Sequence, residues 1–252
     1  GRMGSEVLAA VCKEPGIEPV AGVDKAYLGE TLSLPDGSGT LLMAPNIHDA
    51  IATTNPDVVV DFTNADGSMV AAREAAAMGV NIVVGSTGIT DSHLAELDGL
   101  GEQHKVGIFM APNFAIGAAL MIHLAKSLGR YFDYADVIEM HHEAKIDSPS
   151  GTAITLGEFA SKGRKRNLND VKVYDRTKKT NKRQTGEIGY SVTRGGEIAG
   201  EHTVSFIGEN DRIDLSHKAL NRSIFINGAI EAALFLSKKK TGLYSMEDII
   251  KV

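Results

Sequence analysis

Continuous apolar runs in the first half of the sequence constrain the fold more than any other feature. They occupy residues 19–23, 57–62, 81–85 and 106–110 and do not alternate with polar residues. Such runs are typical of strands in a parallel sheet that helices cover on both faces. Between them, residues 68–78 and 92–103 are rich in alanine and leucine at helical spacing. This alternation predicts an α/β fold with a doubly wound, Rossmann-like N-terminal domain.

The pattern changes after Phe114. A predicted helix (116–130) leads to a strand (135–142), a second helix (150–161) and strand candidates at 188–193, 202–207 and 212–216. Strands joined by short turns favour an antiparallel or mixed sheet, and hence a second, α+β domain. A last helix, 224–236, is predicted to return to the first domain. We therefore predict one domain from residues 1–114 with 223–252, and another from residues 115–222.

Composition narrows the class of protein. With 252 residues, 43% of them hydrophobic, the chain can bury one large core or two modest ones. Cys12 is the single cysteine, so no internal disulfide can form and a reducing compartment suits the chain. The apolar stretches are too short for a membrane span, and the sequence as given opens without a secretory signal. We expect a soluble, cytoplasmic protein.

Charge is unevenly distributed along the chain. The net charge of −6 argues against a general nucleic-acid binder, yet residues 162–183 hold ten Lys or Arg and two Asp. A solvated loop is the simplest interpretation of this run. The alternative is an electrostatic funnel that concentrates an anionic substrate or cofactor, and a nucleic-acid tail ranks third.

Glycines at the start of the sequence suggest a dinucleotide. Gly1 and Gly4 open an amphipathic helix (5–12), as in the second half of a dinucleotide fingerprint, although an ordinary capping turn has the same spacing. Backbone N–H groups of such a turn can approach a pyrophosphate. Asp24 follows the first apolar run, at the position where an acidic residue accepts hydrogen bonds from an adenosine ribose. The alternative is that Asp24 is a surface turn residue. Lys25 could neutralise a 2′-phosphate, so we expect use of NADH or NADPH with a mild preference for NADH.

The strand that normally feeds such a glycine turn is not in the sequence as given, nor is the first glycine of the fingerprint. We expect this chain to bind either cofactor more weakly than a chain that carries both.

Two loops each follow a predicted parallel strand. They are Gly85-Ser86-Thr87-Gly88 and Ala111-Pro112-Asn113-Phe114. Ligands of open α/β sheets bind beyond the carboxyl ends of the strands. We therefore expect both loops to line the nicotinamide end of a cofactor, with plain connecting loops as the alternative.

The stretch that carries the most chemistry ends at Thr152 and reads E-M-H-H-E-A-K-I-D-S-P-S-G-T. It places His141, His142 and Lys145 at a strand end, just before a Ser-Gly-Thr helix start. Histidine donates or accepts a proton near neutral pH, and lysine stays cationic unless it is desolvated. Backbone N–H groups at Gly151 and Thr152 can hold a carboxylate. Together these residues predict proton transfer to a small anionic substrate.

A metal site is the competing interpretation of the two histidines. The stretch lacks cysteine, and adjacent histidines on a strand point to opposite faces, so we predict no metal. A buried histidine beside a capped helix would explain any one of these residues, but not the group.

This stretch resembles the signature of the 4-hydroxy-tetrahydrodipicolinate reductase family, also called dihydrodipicolinate reductases. The family motif is approximately E-x-H-H-x-x-K-x-D-x-P-S-G-T, and the sequence matches every fixed position. Further similar segments occur in order and extend the resemblance over essentially the whole chain: Gly1-Arg2-Met3-Gly4, Asp61-Phe62-Thr63, Val84-Gly85-Ser86-Thr87-Gly88, Ala111-Pro112-Asn113-Phe114, Gly200-Glu201-His202-Thr203 and Ser216-His217-Lys218-Ala219.

The resemblance implies NAD(P)H-dependent reduction of the dihydrodipicolinate ring to tetrahydrodipicolinate in lysine and diaminopimelate biosynthesis. It implies that His141 lies at the proton-transfer position and that Lys145 is the proton donor. The cyclic dicarboxylate would be held by His142, Lys145, Gly151 and Thr152. The family's cofactor positions fall on Gly1, Arg2, Met3, Asp24, Lys25, Gly85, Ser86, Thr87, Ala111, Pro112, Asn113 and Phe114. The family is a homotetramer that assembles through its C-terminal domains, and it needs no metal.

Two other functions stay open at this point. A related dehydrogenase, for example one acting on an amino acid, would share the first domain but carry a different motif in the second. A non-enzymatic relative would bind the dicarboxylate without the cofactor.

Overall fold

The computed structural model describes residues 1–27, 30–239 and 241–251, without the side chain of Arg2. The chain divides into two compact units. Unit 1 combines Gly1–Phe114 with Phe225–Lys251, and unit 2 is Ala115–Ile224.

Unit 1 holds two sheets and the helices that pack on them. Its elements are α1 (Arg2–Val11), β1 (Ala21–Val23), β2 (Thr31–Ser33), β3 (Thr40–Ala44), α2 (Ile47–Thr54), β4 (Val58–Asp61), α3 (Ala65–Ala77), β5 (Asn81–Val84), α4 (Asp91–His104), β6 (Gly107–Met110), β12 (Gly242–Tyr244) and α9 (Met246–Ile250). Helix α8 (Ser223–Leu236) leads from unit 2 back into unit 1.

The larger sheet of unit 1 is entirely parallel, in the strand order β12-β6-β5-β4. Its central strands are almost free of polar residues, and Ile82, Val83 and Ile108 are fully buried. Side chains of α3 and α4 join Ile82 and Ile108 in one apolar core. Because apolar residues face both sides of these strands, helices must cover both faces. The predicted Rossmann-like α/β architecture is therefore confirmed.

The smaller sheet of unit 1 has the order β1-β3-β2, in which β3 runs parallel to β1 and antiparallel to β2. Our sequence analysis anticipated β1 but not β2, β3 or α2. Helix α2 is capped by Asn46, whose side chain accepts from the Asp49 N–H at 2.8 Å. This local signal is readable from the sequence.

Unit 2 is built on one mixed sheet. Its elements are α5 (Ile116–Leu128), β7 (Tyr134–His141), α6 (Gly151–Gly163), α7 (Leu168–Val171), β8 (Lys172–Val173), β9 (Ile188–Arg194), β10 (Glu201–Ile207) and β11 (Arg212–Lys218). The strand order is β11-β10-β7-β9-β8. Although a short turn joins β9 to β10, β7 lies between them, parallel to β9 and antiparallel to β10. The mixed α+β sheet predicted for this part of the chain is therefore present.

One face of this sheet carries the core of unit 2. Alternate residues of β7, beginning with Ala135 and Val137, are fully buried against apolar side chains of α5 and α6. Phe206 of β10 packs in the same cluster. Because side chains alternate along a strand, the next residues of β7 on this face are Glu139 and His141. The face of β7 that is apolar at its start therefore carries polar side chains at its carboxyl end.

In the basic segment 162–183, arginines and lysines lie in different environments. Arg183 donates to the Asp136 carboxylate at 2.6 Å and to the carbonyl oxygens of Ala135 and Glu187. Arg176 pairs with the Glu187 carboxylate. In contrast, Lys178 and Lys179 are exposed. The solvated-loop interpretation therefore suits the lysines, whereas these two arginines fasten the segment to unit 2.

No helix in residues 1–27, 30–239 and 241–251 is long and apolar enough to cross a membrane.

Candidate active site

The predicted substrate residues gather where β7 ends, within unit 2. Glu139 and His141 are both buried on the helix-covered face of the sheet. The chain then turns sharply, since the His142 N–H donates to the Ile198 carbonyl at 2.8 Å and the Lys145 N–H to the His142 carbonyl at 3.2 Å. Lys145 is thereby held near the end of the strand that carries His141.

The carboxylate of Glu139 is the centre of the hydrogen-bond network. One oxygen lies 2.5 Å from Nδ1 of His141, and the other accepts from the Ser150 N–H at 3.0 Å. Arg194 of β9 adds two parallel N–H bonds of 2.9 Å, one to each oxygen. Arg194 stands opposite His141 in the parallel register of β7 and β9, which explains how it reaches this carboxylate. A bidentate guanidinium pair of this kind is strong and geometrically specific.

Arg194 also holds the turn that carries Lys145. Its guanidinium donates to the carbonyl oxygen of Lys145 at 3.3 Å and to that of Asp147 at 2.6 Å. The Lys145 ammonium in turn donates to the Asp147 carboxylate at 2.7 Å. That bond occupies one of three ammonium N–H groups, so others are available to a bound anion.

The start of α6 is where the sequence predicts an anion cradle. Ser150 caps the helix, and its hydroxyl accepts from the Ala153 N–H at 3.2 Å and lies 3.0 Å from Nε2 of His202. Gly151 is exposed, and a Cβ added there would meet nothing within 4 Å, so its backbone can be approached closely. Thr152 is buried beside it. The first N–H groups of a helix bind anions well because they lack partners within the helix.

Burial favours the neutral forms of His141 and His202. It lowers the pKa of His202 to about 4, with the neighbouring His141 as the next cause. Burial is also the main cause that lowers the pKa of His141, where Glu139 opposes the shift and Lys145 and Arg194 reinforce it. Burial alone would raise the pKa of Glu139, but its bonds from Arg194, Ser150 and His141 lower it overall. At neutral pH the network therefore contains an ionised Glu139 and uncharged imidazoles.

Gly200 preserves space beside His141. A Cβ at this position would stand 3.0 Å from Nε2 of His141, and the φ of +147° disfavours any residue with a side chain. The nitrogen that does not face Glu139 therefore borders bare backbone.

A metal ion fits this site poorly. Glu139, His141 and His202 could present ligand atoms within 4.8 Å of one another. However, both Glu139 oxygens already bond the guanidinium of Arg194, whose fixed positive charge opposes a cation at the same place. The donor set suits a proton-handling network better than a metal centre.

Candidate cofactor residues lie in unit 1, in two groups. In the first, α1 begins after Gly1, and the Asp24 carboxylate accepts from the Ala26 N–H at 2.9 Å. Met3 is half-buried in α1, and Lys25 is exposed beside Asp24. Gly1 thus opens α1 and Asp24 follows β1, the two places where the sequence predicts cofactor residues.

The second group follows neighbouring parallel strands. Ser86, after β5, bonds the buried Ser68 hydroxyl at 2.7 Å, and Ser68 bonds the buried carboxylate of Asp61 at the end of β4. Thr63 adds a bond of 2.9 Å to the same carboxylate. This chain of hydroxyls fixes the Gly85–Gly88 loop to the adjacent strand.

An aromatic contact links this loop to the one after β6. The Phe62 ring lies 5.6 Å from that of Phe114, and a Cβ at Gly85 would overlap the Phe62 ring. Phe114 and Ala111 are buried, whereas Pro112 is exposed. Phe114 can therefore meet a ligand only through its backbone or after its ring moves.

Sequence reasoning did not assign roles to several residues of these networks. In unit 2 they are Glu139, Ser150, Arg194 and His202, and in unit 1 they are Asp61 and Ser68. Glu139, Ser150, Asp61 and His202 stand in the quoted motifs, so a buried polar role could have been suspected. Arg194 stands in none, and only the register of β7 with β9 places it here.

Family models of known proteins match the chain almost end to end. Residues 1–114 match the N-terminal model of dihydrodipicolinate reductase, and residues 116–250 match its C-terminal model. The second match includes the motif that ends at Thr152.

Individual relatives agree with the family models. The 4-hydroxy-tetrahydrodipicolinate reductase of Methylocella silvestris is 39% identical over 257 residues, covering 99% of this chain and 93% of its own. That of Dehalococcoides mccartyi is 35% identical over 260 residues, covering 100% and 95%. The structure of dipicolinate-bound dihydrodipicolinate reductase from Paenisporosarcina sp. TG-14 superposes with a TM-score of 0.79 at 29% identity, covering 99% and 96%.

Proposed function

The chain belongs to the dihydrodipicolinate reductase family and is an oxidoreductase of lysine and diaminopimelate biosynthesis; on that premise we propose how its own residues reduce the dihydrodipicolinate ring to tetrahydrodipicolinate. The observation that carries the proposal is the meeting of His141, Lys145 and the open start of α6 within unit 2.

The substrate carboxylates are held by unit 2. One carboxylate accepts from the N–H groups at Gly151 and Thr152, where the start of α6 supplies partial positive charge. Lys145 and His142 complete the contact with the cyclic dicarboxylate. A dicarboxylate also suits the relative from Paenisporosarcina, whose structure holds dipicolinate.

Lys145 is the proton donor to the ring. Its side chain is only 20% exposed and its ammonium bonds Asp147, so its position is fixed while free N–H groups remain. His141 lies at the proton-transfer position, with the nitrogen beside Gly200 turned away from Glu139. A positioned acid of this kind accelerates a reaction by roughly 10²–10⁴-fold.

The residues of unit 1 fit a nicotinamide dinucleotide. The start of α1 offers backbone N–H groups, and Asp24 follows β1. We assign Gly1, Arg2, Met3, Asp24 and Lys25 to the adenosine and pyrophosphate end. The nicotinamide end falls to the strand-end loops, at Gly85, Ser86, Thr87 and Ala111–Phe114. When bound, the reduced nicotinamide supplies the hydride.

Assembly and location complete the proposal. We propose a cytoplasmic homotetramer. The family resemblance supports assembly through unit 2. The face of the mixed sheet opposite α5 and α6 also supports it, because the apolar side chain of Ile138 is exposed there. The single cysteine, Cys12, suits a reducing compartment.

Binding measurements test the proposal. We expect the chain to bind both NADH and pyridine-2,6-dicarboxylate. An amino-acid dehydrogenase would bind only the first, and a non-enzymatic relative only the second.

The same titration tests cofactor preference. Asp24 should accept from the ribose hydroxyls of NADH and repel a 2′-phosphate, whereas Lys25 is a flexible point charge that attracts one. We therefore expect both cofactors to bind, with a few-fold preference for NADH by fluorescence titration. A strong preference for NADPH would mean that Lys25 controls the pocket.

Thr152→Val tests the anion cradle. The substitution keeps the shape of the side chain and removes its hydroxyl, and the loss of a hydrogen bond to a charged group costs about 1.5–3 kcal/mol. Calorimetry should show this loss in the affinity for pyridine-2,6-dicarboxylate but not for NADH. Thr155→Val on the next turn of α6, where the exposed hydroxyl bonds the Gly151 carbonyl at 3.0 Å, is the matched control. Unchanged dicarboxylate binding by Thr152→Val would contradict the assignment.

A further inference from the structure

Glu139 and Arg194 connect the candidate site residues of unit 2. Glu139 bonds Nδ1 of His141 on one side and the Ser150 N–H on the other, and Ser150 caps α6. Arg194 bonds both Glu139 oxygens and the backbone carbonyl oxygens of Lys145 and Asp147. The proton donor, the histidine and the anion cradle are therefore tied to one ion pair.

Burial of both charges carries a desolvation cost, so this ion pair is not explained by stability alone. Glu139 is only 1% exposed, and the side chain of Arg194 is 18% exposed. Replacing such a buried pair with apolar residues is often neutral or stabilising in proteins. The network satisfies both charges with bonds to site residues, which points to positioning rather than to stability alone.

We propose that Glu139 and Arg194 are positioning residues: Glu139 fixes the tautomer and ring orientation of His141, and Arg194 fixes the turn that carries Lys145. This inference rests on the proton-handling roles proposed above for His141 and Lys145. Neither Glu139 nor Arg194 needs to touch the substrate.

The tautomer follows from the acceptor. An ionised carboxylate can only accept, so a neutral His141 must carry its proton on Nδ1, facing Glu139. Nε2, beside Gly200, is then the unprotonated nitrogen. Glu139 thus directs the lone pair of the imidazole away from the protein network.

Glu139→Gln reverses this arrangement. The amide oxygen can accept from Arg194 or Ser150, and the amide NH₂ group can then donate toward Nδ1 of His141. The proton of a neutral His141 should move to Nε2. Loss of the carboxylate also removes the charge that raises the pKa of His141, so that pKa should fall further. The other groups that face this imidazole come from the following turn, β9 and β10: Lys145, Arg194 and His202.

The experiment is ¹⁵N NMR of the full chain labelled at histidine, recorded across pH, with steady-state kinetics in parallel. Wild type should show His141 protonated at Nδ1, and Glu139→Gln should show it protonated at Nε2. Glu139→Asp, which keeps the charge, should retain the wild-type tautomer. Glu143→Gln removes an exposed carboxylate two residues from His141 and should change neither tautomer nor pKa. The turnover of Glu139→Gln should fall by about 100-fold or more, mainly in kcat, because Nε2 of His141 would then hold a proton and could no longer accept one.

Arg194→Lys separates the two halves of the proposal. It keeps a positive charge but cannot form the fork of bonds to Glu139 and to the Lys145 turn. The His141 tautomer should persist while kcat falls about tenfold or more. An Arg194→Lys variant with wild-type kcat would overturn the role of Arg194.

Wild-type spectra decide the role of Glu139 even if Glu139→Gln does not fold. An Nε2-protonated His141 in the wild type would overturn that role, as would a folded Glu139→Gln with the wild-type tautomer. Absence of reductase activity in the wild type would instead refute the proposed function, since the tautomer is read without substrate.

Discussion

Lys145→Met should reduce turnover by roughly 100-fold or more while leaving NADH affinity unchanged. The loss follows from removing the general acid, and a 100-fold loss corresponds to about 2.7 kcal/mol of transition-state stabilisation. Cofactor affinity should survive because Lys145 belongs to unit 2, whereas the candidate cofactor residues belong to unit 1. Methionine keeps the unbranched, flexible shape of lysine, one heavy atom shorter, and removes the ammonium group with its charge and protons.

Steady-state kinetics with the purified variant measure this effect. Lys179→Met is the matched control, because Lys179 is an exposed lysine of the same unit. It should retain wild-type kcat and KM. Near-normal turnover in Lys145→Met would refute the proton-donor role. A loss of NADH binding would indicate that the substitution disturbs more than the site.

Gly228→Ala should destabilise unit 1 by about 3 kcal/mol, at the upper end of what overpacking usually costs. Gly228 is buried in α8, and a Cβ at this position would overlap the carbonyl group of Phe114. A backbone atom cannot move aside as a flexible side chain can. Either α8 or the loop after β6 must shift, so NADH affinity should weaken together with stability.

Denaturant unfolding measures the first effect and fluorescence titration the second. Gly99→Ala makes the same substitution in α4, where the glycine is exposed and an added Cβ meets nothing within 4 Å. It should stabilise the protein by about 0.5–1 kcal/mol, because alanine favours a helix more than glycine does. Equal effects of the two substitutions would show that close packing at Gly228 does not matter.

Much of the architecture can be predicted from local sequence. The buried parallel strands β4, β5 and β6 are continuously apolar, and the long helices α3, α4 and α5 repeat with helical period, so both stand out. Elements whose stability depends on distant partners cannot be recognised from local sequence in this way. Strand β12 has only three residues and forms because β6, more than 130 positions earlier, offers an open edge.

Some residues of the candidate site can likewise be predicted from local sequence, whereas others cannot. His141, His142 and Lys145 lie within a few residues of each other, and a strand end followed by a helix start brings them together. Arg194 and His202 reach them through strand register, with Arg194 opposite His141 and His202 opposite Glu139. Register depends on packing of the whole sheet, so single-sequence patterns cannot supply it.

The pairing of β12 with β6 also sets an order of assembly during synthesis. Unit 2 consists of one continuous stretch, so its sheet is complete once β11 has left the ribosome. Unit 1 begins first but finishes last, because α8 and β12 are made only after all of unit 2. Domains usually fold in the order of their synthesis. Here the half that should recognise the substrate can be in place before the half that should hold the cofactor, and β6 keeps an unpaired edge until β12 emerges.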